Sequence, residues 1–554
     1  YRNDYAYHFA GADSGEKLEP DSPMSKYPYP DPEAKGRGTN WIDEITRTAL
    51  YQNYDLSLSG ASRKGSYYAS IGYNETQGII DNSGLKRYSA RFKIDHEFAK
   101  WFKAGLNLSY TYRDQDENLA TIGGTNWWNA AVFLSPFLNP SSSMNDLWYS
   151  GQKFNNPRIM LDHCLKNARR ISLTNNGFVE FTPVEGLKLR SQFTYYSYQR
   201  HGRYYEPGYL PAKKENEGGY ASRDEYDDTS FSSENTVYYE LRPKSGHNFD
   251  VLGGYTAQIK YDNNLSITGR GYTLDELTWN NMAAVPDKQN TSISTNHNDW
   301  TKMSVLGRLN YNYKERYYVT FTARYDGASN FAANKKWGFF PSAAAGWVIS
   351  NESFWDGIRK TVSNLKIRVS YGLAGNDALG ERFPYRSIVA MGEESGFYYN
   401  WNSQGKGPKI TTYGNPNATW EEAKKLDVGL ELGLFNALNI EAAYFTEDRT
   451  GIFMRRTSLP SSTGLLGVTP YGNIGRVKSH GVDLSAVYNK QFNKDWSLSL
   501  RGTFTFSRNE VVEKDEGDLM YDYMSVVGHP VNAITGVLVA DGLFTSQEEI
   551  DALN

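Results

Sequence analysis

The sequence predicts an all-β protein, a transmembrane antiparallel β-barrel, and three observations support this fold class. Sixteen segments alternate apolar and polar residues with the period of two that a β-strand requires. Most of these segments run to ten or more residues. Soluble strands average about five to six residues, whereas tilted strands that cross a bilayer need about 9–11. The links between segments alternate between short and long, as they do in bacterial outer-membrane barrels.

The composition agrees with strands rather than spanning helices. Aromatic residues make up 15% of the 554 residues, and there are 50 glycines. The mean hydropathy of −0.63 is compatible with a barrel, because every second position of a barrel strand can be polar. The longest apolar run, 130–134, is far shorter than the roughly 20 residues of a transmembrane helix. A net charge of −4 argues against a nucleic-acid partner, and the single cysteine excludes an intrachain disulfide.

Each strand is predicted from its alternation. In the last one, the even positions from Trp496 to Phe506 are apolar or glycine, while the odd positions from Ser497 to Ser507 are polar. Such a strand has one apolar face and one polar face that can meet water. The predicted strands are 53–60, 66–76, 86–97, 101–113, 170–182, 187–200, 229–241, 247–260, 302–314, 316–327, 338–350, 365–374, 423–435, 438–449, 477–492 and 496–508.

The links form two series. The short series is 61–65, 98–100, 183–186, 242–246, residue 315, 351–364, 436–437 and 493–495. The long series is 77–85, 114–169, 201–228, 261–301, 328–337, 375–422 and 450–476. Outer-membrane barrels have short periplasmic turns and long extracellular loops. We therefore expect residues 53–508 to hold the barrel strands, with 1–52 and 509–554 on the extracellular side.

Charged residues on the polar strand faces indicate that this face meets water. Burying charges at this density in a dry core would carry a large desolvation cost. They include Lys93, Asp95, Arg190, Arg308, Lys366, Arg368, Asp427, Glu431, Glu441, Asp483 and Arg501. The apolar face could meet lipid or, in a soluble sandwich, a second sheet. Strand length, link alternation and tyrosines near the strand ends favour lipid.

Several strings, in this order, resemble the SusC/RagA-type family of TonB-dependent outer-membrane transporters of Bacteroidota. The first is Thr39–Ile45, ahead of the first strand, and the match extends to about residue 550. The later strings are Arg324–Phe331, Phe340–Ser342, Gly346-Trp347, Leu365–Asn376, Asn415-Pro416 with Trp420-Glu421, Gly472–Gly475, Gly481–Leu484 and Asp541–Phe544.

The resemblance implies a 22-stranded barrel in the outer membrane, among lipid and lipopolysaccharide, with an N-terminal plug in its lumen. It also implies energy passed from TonB, ExbB and ExbD through a TonB box, and a SusD-like lipoprotein lid, with a possible dimer of such pairs. The plug, the TonB box and an aromatic closing strand are absent from this sequence. We therefore expect an internal barrel segment that supplies about 16 of the 22 strands.

The motifs that would indicate catalysis or a cofactor are missing, so the sequence predicts a protein that is not an enzyme and carries no cofactor. The triplet Asp114, Asp116 and Asn118 begins like a calcium loop. Leu119 replaces the glycine of the sharp turn, and Thr125 replaces the bidentate glutamate. We therefore expect no metal there.

Aromatic residues in the long loops are the best candidates for contact with cargo. Flat rings could stack on sugar faces or pack on peptide side chains, although they could equally pack loop against loop or against a lid protein. The candidates are Trp127 and Trp128 in the 114–169 loop, and Phe397, Tyr398, Tyr399, Trp401 and Tyr413 in the 375–422 loop.

Three functions are compatible with these features. The first is active import of an oligosaccharide or peptide too large for a porin. The second is a passive, porin-like or adhesive outer-membrane barrel, which would have the same strands. The third is a soluble glycan-binding β-sandwich, which would appear in the aqueous fraction without detergent.

Overall fold

The dominant element in the computed structural model is one antiparallel sheet of sixteen strands, each hydrogen-bonded to the next along the chain. We number these strands β1–β16 in chain order. Their bounds are Tyr51–Ser62, Gly65–Gln77, Gly84–Ala99, Phe102–Asp116, Leu165–Val184, Leu187–Glu206, Gly219–Leu241, His247–Tyr272, Thr291–Tyr313, Tyr317–Ala328, Trp337–Val348, Val362–Asn376, Glu421–Leu434, Leu438–Arg455, Tyr471–Gln491 and Ser497–Glu513.

The structure describes 39–117, 121–122, 125–134, 147–149, 152–154, 156–208, 218–272, 275–285, 290–380, 382–400, 403–463, 468, 470–533 and 547. Within these ranges, no helix is both long and apolar enough to span a membrane. The chain divides into two compact units. Unit 1 comprises 1–181, 191–233 and 258–299, and unit 2 comprises 182–190, 234–257 and 300–554.

Each of the sixteen predicted strands is present. Several of the short links are tight turns that need positive φ. Lys314 and Glu315 have φ of 51° and 56°, and Phe435 and Asn436 have 55° and 51°. Positive φ at two successive central residues is the requirement of a type I′ turn, whose twist matches that of the strands. The short series therefore consists largely of hairpin turns.

Several of the long links contain more strand than the sequence predicted. Strands β6–β9 continue into the links 201–228 and 261–301, and the link 375–422 contains a separate hairpin, Ile388–Asn400 with Ser403–Thr412. The apolar alternation ends where the strands leave the apolar band, but backbone pairing does not depend on apolar side chains. Polar cross-strand contacts continue, such as Asn298 donating to Asp262 at 2.9 Å.

In unit 1, two aromatic rows bound the apolar face of the sheet. Tyr54, Tyr73, Tyr88 and Tyr112 are direct cross-strand partners on β1–β4, with neighbouring ring centroids 5.1–6.4 Å apart. A second row near the short turns consists of Phe98, Trp101, Phe102 and Phe181.

The spacing of these rows fits a bilayer. Tyr88 and Phe98 are ten residues apart on β3. At about 3.3 Å per residue and a tilt of about 40°, this corresponds to roughly 25 Å, the height of the lipid-facing band of outer-membrane barrels. Unit 2 shows the same pairing of aromatic residues near both strand ends, with Tyr317 on Trp347 and Tyr325 on Trp337.

Candidate functional site

Three short helices cluster at the long-link end of unit 1: α1 (Trp41–Ile45), α2 (Trp127–Phe133) and α3 (Pro157–His163). Their apolar residues form one small core with Ile80, in which Ile45 and Cys164 are fully buried. The string Thr39–Ile45, one of those that carry the family resemblance, therefore has a packing role.

A network of ion pairs and hydrogen bonds connects α3 with the rest of the helix cluster. The Arg158 guanidinium contacts the carboxylates of Asp81 and Asp162, and it donates to the Glu44 carbonyl at 3.1 Å. The Arg158 hydrogen bond holds the pKa of Asp162 below its ordinary value, although partial burial opposes this shift. Asn82 also donates to the Leu161 carbonyl at 3.1 Å. The helices are thus tied to the sheet by charge as well as by packing.

Helix α2 contains two of the predicted cargo-contact residues in its backbone, Trp127 and Trp128. It packs through Ala130 and Ala131, while Trp128 and Val132, one turn apart, are 46% and 55% exposed. Trp127 is the first helical residue, but its side chain lies outside the described part of the molecule. Trp128 therefore offers apolar surface at the long-link end.

The later family strings meet in a second core, at the long-link end of unit 2. Phe331 is fully buried there, and Trp420 lies against both Phe331 and Phe340, with ring centroids 5.2 Å and 5.3 Å away. The Trp420 indole N–H donates to the Lys336 carbonyl at 3.1 Å. Phe331 and Trp420, which are almost one hundred positions apart in the sequence, therefore stabilise one loop base, the place where the strands end and the loops begin.

Asparagines and one glutamate complete that loop base. Asn473 donates to the carbonyls of Thr419 and Gly451, both at 2.8 Å. Glu421 accepts from Asn376 at 2.9 Å and from the Phe453 backbone N–H at 3.0 Å. The strings are thus architectural, because they satisfy backbone groups where strands give way to loops.

The other predicted candidates belong to the hairpin at 388–412. Phe397, Tyr398 and Tyr399 lie in its first strand, but the structure does not describe their side chains, and Trp401 lies outside the described residues altogether. Tyr413 follows the hairpin and is 37% exposed. Phe397–Tyr399 thus lie in the hairpin and Tyr413 lies directly after it, whereas Trp127 and Trp128 belong to the other unit.

The base of this hairpin is a tight backbone contact. Gly414 packs so closely that an added Cβ would lie 2.5 Å from the Arg386 carbonyl carbon. Its N–H donates to the Ser387 hydroxyl at 3.0 Å. Phe383 adopts a positive φ of 51° in the adjacent turn, an uncommon conformation for a bulky residue. These contacts fix the direction in which the hairpin leaves the sheet.

The polar face of β12–β14 has paired charges. Lys366 contacts Glu431 at 2.9 Å, Arg368 contacts Asp427, and Glu447 accepts from Lys425 at 3.0 Å and from Arg449 at 2.9 Å. The sequence predicts that this face meets water, but it does not predict which charged side chains form ion pairs.

The ion pair between Arg368 and Asp427 depends on the absence of a side chain at Gly429. At Gly429 an added Cβ would lie 2.5 Å from the Arg368 Nε, so the guanidinium crosses the strand there. The result is a hydrated, ionic face that contains few apolar side chains.

The two carboxylates of the triplet Asp114, Asp116 and Asn118 contact neighbouring side chains of β5. Asn167 donates to Asp114 at 2.8 Å and to Asp116 at 2.9 Å, and Arg169 contacts Asp114 at 3.3 Å. Asn118 lies outside the described residues. Within the described part of the chain, no cluster of His, Cys, Asp or Glu has the arrangement of a metal site.

Comparison with known proteins identifies the family. The family described as TonB dependent receptor-like, beta-barrel, matches residues 145–537. This chain belongs to that family. It is 28% identical to a TonB-dependent receptor of Formosa agariphila over 95% of this chain and 53% of the relative. It is 25% identical to the TonB-dependent receptor SusC of Bacteroides thetaiotaomicron over 87% of this chain and 49% of that protein.

Solved structures agree on the fold. The RagAB peptide transporter superimposes with a TM-score of 0.75 at 23% identity, over 89% of this chain and 55% of the transporter chain. The RagAB peptide importer in its open-open state has a TM-score of 0.76 at 22% identity, over 94% and 57%. The chain therefore spans about half the length of the relatives that it matches.

These findings confirm three predictions. The fold is a transmembrane antiparallel β-barrel with long links, the location is the outer membrane, and the SusC/RagA-type resemblance is correct. The named relatives are receptors and transporters rather than enzymes, in agreement with the prediction of a non-catalytic protein. The apolar sheet face is accordingly the lipid face.

Proposed function

We propose that this TonB-dependent receptor-like chain forms part of the wall of a SusC-like transporter that imports a nutrient, an oligosaccharide or a peptide. A SusD-like lipoprotein would cover the long-link end, and TonB, ExbB and ExbD would supply the energy. The proposal rests on the match of most of the chain to SusC, and the name of the RagAB peptide transporter supports peptide as one cargo class.

The domain arrangement predicted from the sequence belongs to the same proposal. Residues 53–508 provide barrel strands, and 1–52 and 509–554 lie on the extracellular side. The alternation of hairpin turns with long links supports this orientation.

The polar strand face suits passage of a hydrated cargo. Because most of its charges are paired side by side along β12–β14, they present alternating signs rather than one strong field. Such a wall hydrates the lumen without trapping a charged substrate by long-range attraction. Exposed aromatic surface at the long-link end, including Trp128, could supply the stacking contacts that hold the cargo.

Energised uptake distinguishes this proposal from a passive pore. Cells that express the full-length protein, and matched cells lacking its gene, would receive labelled oligosaccharide and oligopeptide mixtures with or without a protonophore. We expect gene-dependent uptake of one mixture that the protonophore abolishes. Uptake that persists after the protonophore would favour the porin-like alternative, and binding without uptake would favour an adhesive barrel.

A further inference from the structure

Three arginines stand directly opposite one another on β3, β4 and β5 of unit 1, and we call them the arginine row. Arg87 is the cross-strand partner of Arg113, which in turn is the partner of Arg170. Arg87 and Arg113 are sequence neighbours of Tyr88 and Tyr112, two tyrosines of the row on the lipid face. Because successive side chains of a strand point to opposite faces, the arginine row lies on the polar face at the same depth.

The arginine row is an unusual arrangement of charge for a sheet. Like charges that are direct cross-strand partners destabilise the pairing of two strands. Nearer the short turns of the same three strands the signs alternate, because Lys103 is the partner of both Glu97 and Glu180. The arginine row has no such compensation from its cross-strand neighbours, so its counter-charge has to come from elsewhere.

Within the described part of the chain, only one arginine of the row has a carboxylate partner. Arg170 contacts Glu117, and it donates to the Gln115 side chain at 2.6 Å. No described carboxylate lies within ion-pair distance of the guanidinium of Arg87 or Arg113. Arg113 is exposed on the polar face, and Arg87 is half-buried. Two guanidinium groups are therefore available to an external anion.

Hydroxyl side chains extend from the arginine row towards the short turns. The next two cross-strand rows on this face are Ser89, Thr111 and Ser172, followed by Arg91, Ser109 and Thr174. Arg91 is exposed and donates to the Asn107 side chain at 3.3 Å, so it is a further cation beside these hydroxyls. The surface therefore offers guanidinium groups on two levels, with short hydroxyl side chains between them.

Two carboxylates on the same face contact other side chains instead of these arginines. Asp95 contacts Lys93 at 3.4 Å. Asp55, which lies in line with Ser89 across Gly72, accepts a hydrogen bond from Asn53. Positive charge therefore predominates around the arginine row, in contrast to the paired charges of β12–β14.

We propose that the arginine row and Arg91 bind the acidic groups, carboxylate or sulfate, of an oligosaccharide cargo. This inference rests on the proposed transport function and specifies the class of its cargo. Guanidinium groups bind oxyanions of both kinds through paired hydrogen bonds. The serine and threonine hydroxyls between the arginines can bond to the hydroxyls of the sugar rings.

The sheet around the arginine row favours a sugar chain over a peptide. Strands β3–β5 are each hydrogen-bonded on both sides, so no strand edge is free to pair with a peptide backbone. Side chains alone contact the cargo here. In the proposed orientation, the arginine row lies at the extracellular mouth of the lumen, where the cargo enters.

Binding of labelled oligosaccharides to the full-length protein in detergent tests the inference. The probes are oligogalacturonates, which carry carboxylates, carrageenan fragments, which carry sulfates, and neutral galactan fragments of the same length. We expect an acidic probe to bind more tightly than the neutral one, and the tighter acidic probe identifies the acidic group. Arg87→Gln and Arg113→Gln should each weaken its binding about fivefold to tenfold, as the loss of a hydrogen bond between charged groups does.

Arg63→Gln is the matched control, because Arg63 is exposed in the short turn between β1 and β2 and loses the same charge. We expect it to bind the acidic probe as the wild type does. Without oligosaccharide, Arg87→Gln and Arg113→Gln should unfold at the wild-type temperature or slightly above it, since each removes a like charge. A lower unfolding temperature with unchanged binding would contradict the inference and assign these arginines to a structural contact.

Three further outcomes would overturn the inference. They are equal binding of acidic and neutral probes, arginine variants that behave like Arg63→Gln, and tighter binding of hexa-aspartate than of either acidic oligosaccharide. Uptake by cells that express the same variants separates the two proposals. Arginine-dependent binding without protonophore-sensitive uptake would contradict only the transport function, whereas energised uptake that is equal in wild type and arginine variants would contradict only this inference.

Discussion

At the scale of single residues, the loop bases depend on a few large buried side chains. Phe331 is fully buried in unit 2, and Trp420 packs on it while donating its indole N–H to Lys336. Among the residues that the structure describes, many large apolar side chains lie exposed on the apolar strand faces. The loop cores are consequently small, and each of their members contributes a large share of the packing.

We expect Phe331→Ala to lower the free energy of unfolding by about 3 to 5 kcal/mol, the usual cost of emptying a buried phenylalanine site. Thermal unfolding of the full-length protein in detergent would measure the loss. Phe354→Ala is the control, because Phe354 is 66% exposed. Equal effects of the two substitutions would mean that the cluster does not act as a core.

The ion pair between Arg158 and Asp162 should make the α3 region sensitive to acid. The pKa of Asp162 is lower in the folded protein than in the unfolded chain, so the stabilisation is complete above the unfolded value and is lost as the pH falls through the folded one. Asp162→Asn should therefore destabilise the protein at pH 7 and make little difference at a pH below the folded pKa.

Unfolding by denaturant across this pH range would measure the difference between wild type and variant. Asp356→Asn is the control, since the Asp356 side chain is 73% exposed, and we expect little effect on the free energy of unfolding there. A difference for Asp162→Asn that stays constant to the lowest pH would show that the ion pair is not its cause.

One aromatic residue tests the predicted cargo contact directly. The loop residue Trp401 is predicted from the sequence to stack on cargo, so Trp401→Ala should weaken cargo binding about fivefold to tenfold without changing barrel folding. Titration of the full-length protein with the transported mixture would measure affinity. Trp496→Ala, at an exposed position on the short-turn side, is the control. Unchanged affinity for Trp401→Ala would remove this residue from the site.

At the scale of elements, the hairpin at 388–412 depends on its base. It pairs within itself rather than with the sixteen-stranded sheet. Its direction is therefore set where the chain leaves and rejoins the loop, at Phe383–Arg386 and Gly414. The glycine is required there by close approach, because the atoms that a Cβ would meet belong to the backbone.

We expect Gly414→Val to displace the hairpin while leaving the sheet intact. Hydrogen exchange should then be faster for the amides of 388–400 and 403–412 and unchanged in β12 and β13. Gly357→Val is the control, since nothing lies within 4 Å of a Cβ at Gly357. Unaltered exchange in the hairpin would indicate that contacts elsewhere hold it.

The sequence predicts the strands of the sheet well, but it does not predict their extensions or the contacts of the loops. All sixteen sheet strands were found because alternation with a period of two is imposed by a face that meets lipid. The extensions of β6–β9 were missed because, beyond the apolar band, both faces are polar and the period is lost. The loop cores were missed as well, since the contact of Phe331 with Trp420 is set by folding across long sequence separations. The partners of Arg368 are likewise spatial neighbours on adjacent strands.

At the scale of the whole molecule, the sheet has one face that meets lipid and one face that meets water, and the side chains of the strands differ accordingly. The tyrosine and phenylalanine rows bound the lipid face in unit 1, and paired charges cover the opposite face of β12–β14 in unit 2. Since both units are built from the same alternation, one substitution experiment on adjacent positions can test this separation.

Phe504 and Thr505 are neighbours on β16 that point to opposite faces. Phe504 is 58% exposed on the lipid face, whereas Thr505 lies opposite Asp483 on the polar face. We expect Phe504→Arg to destabilise the protein by up to about 2 to 4 kcal/mol, because arginine on the lipid face costs this much at the bilayer midplane and less towards the interfaces. Thr505→Arg should be nearly neutral, because water and the Asp483 carboxylate can compensate its charge. Folding titrations in lipid vesicles would measure both values, and equal costs would contradict the assignment of the two faces.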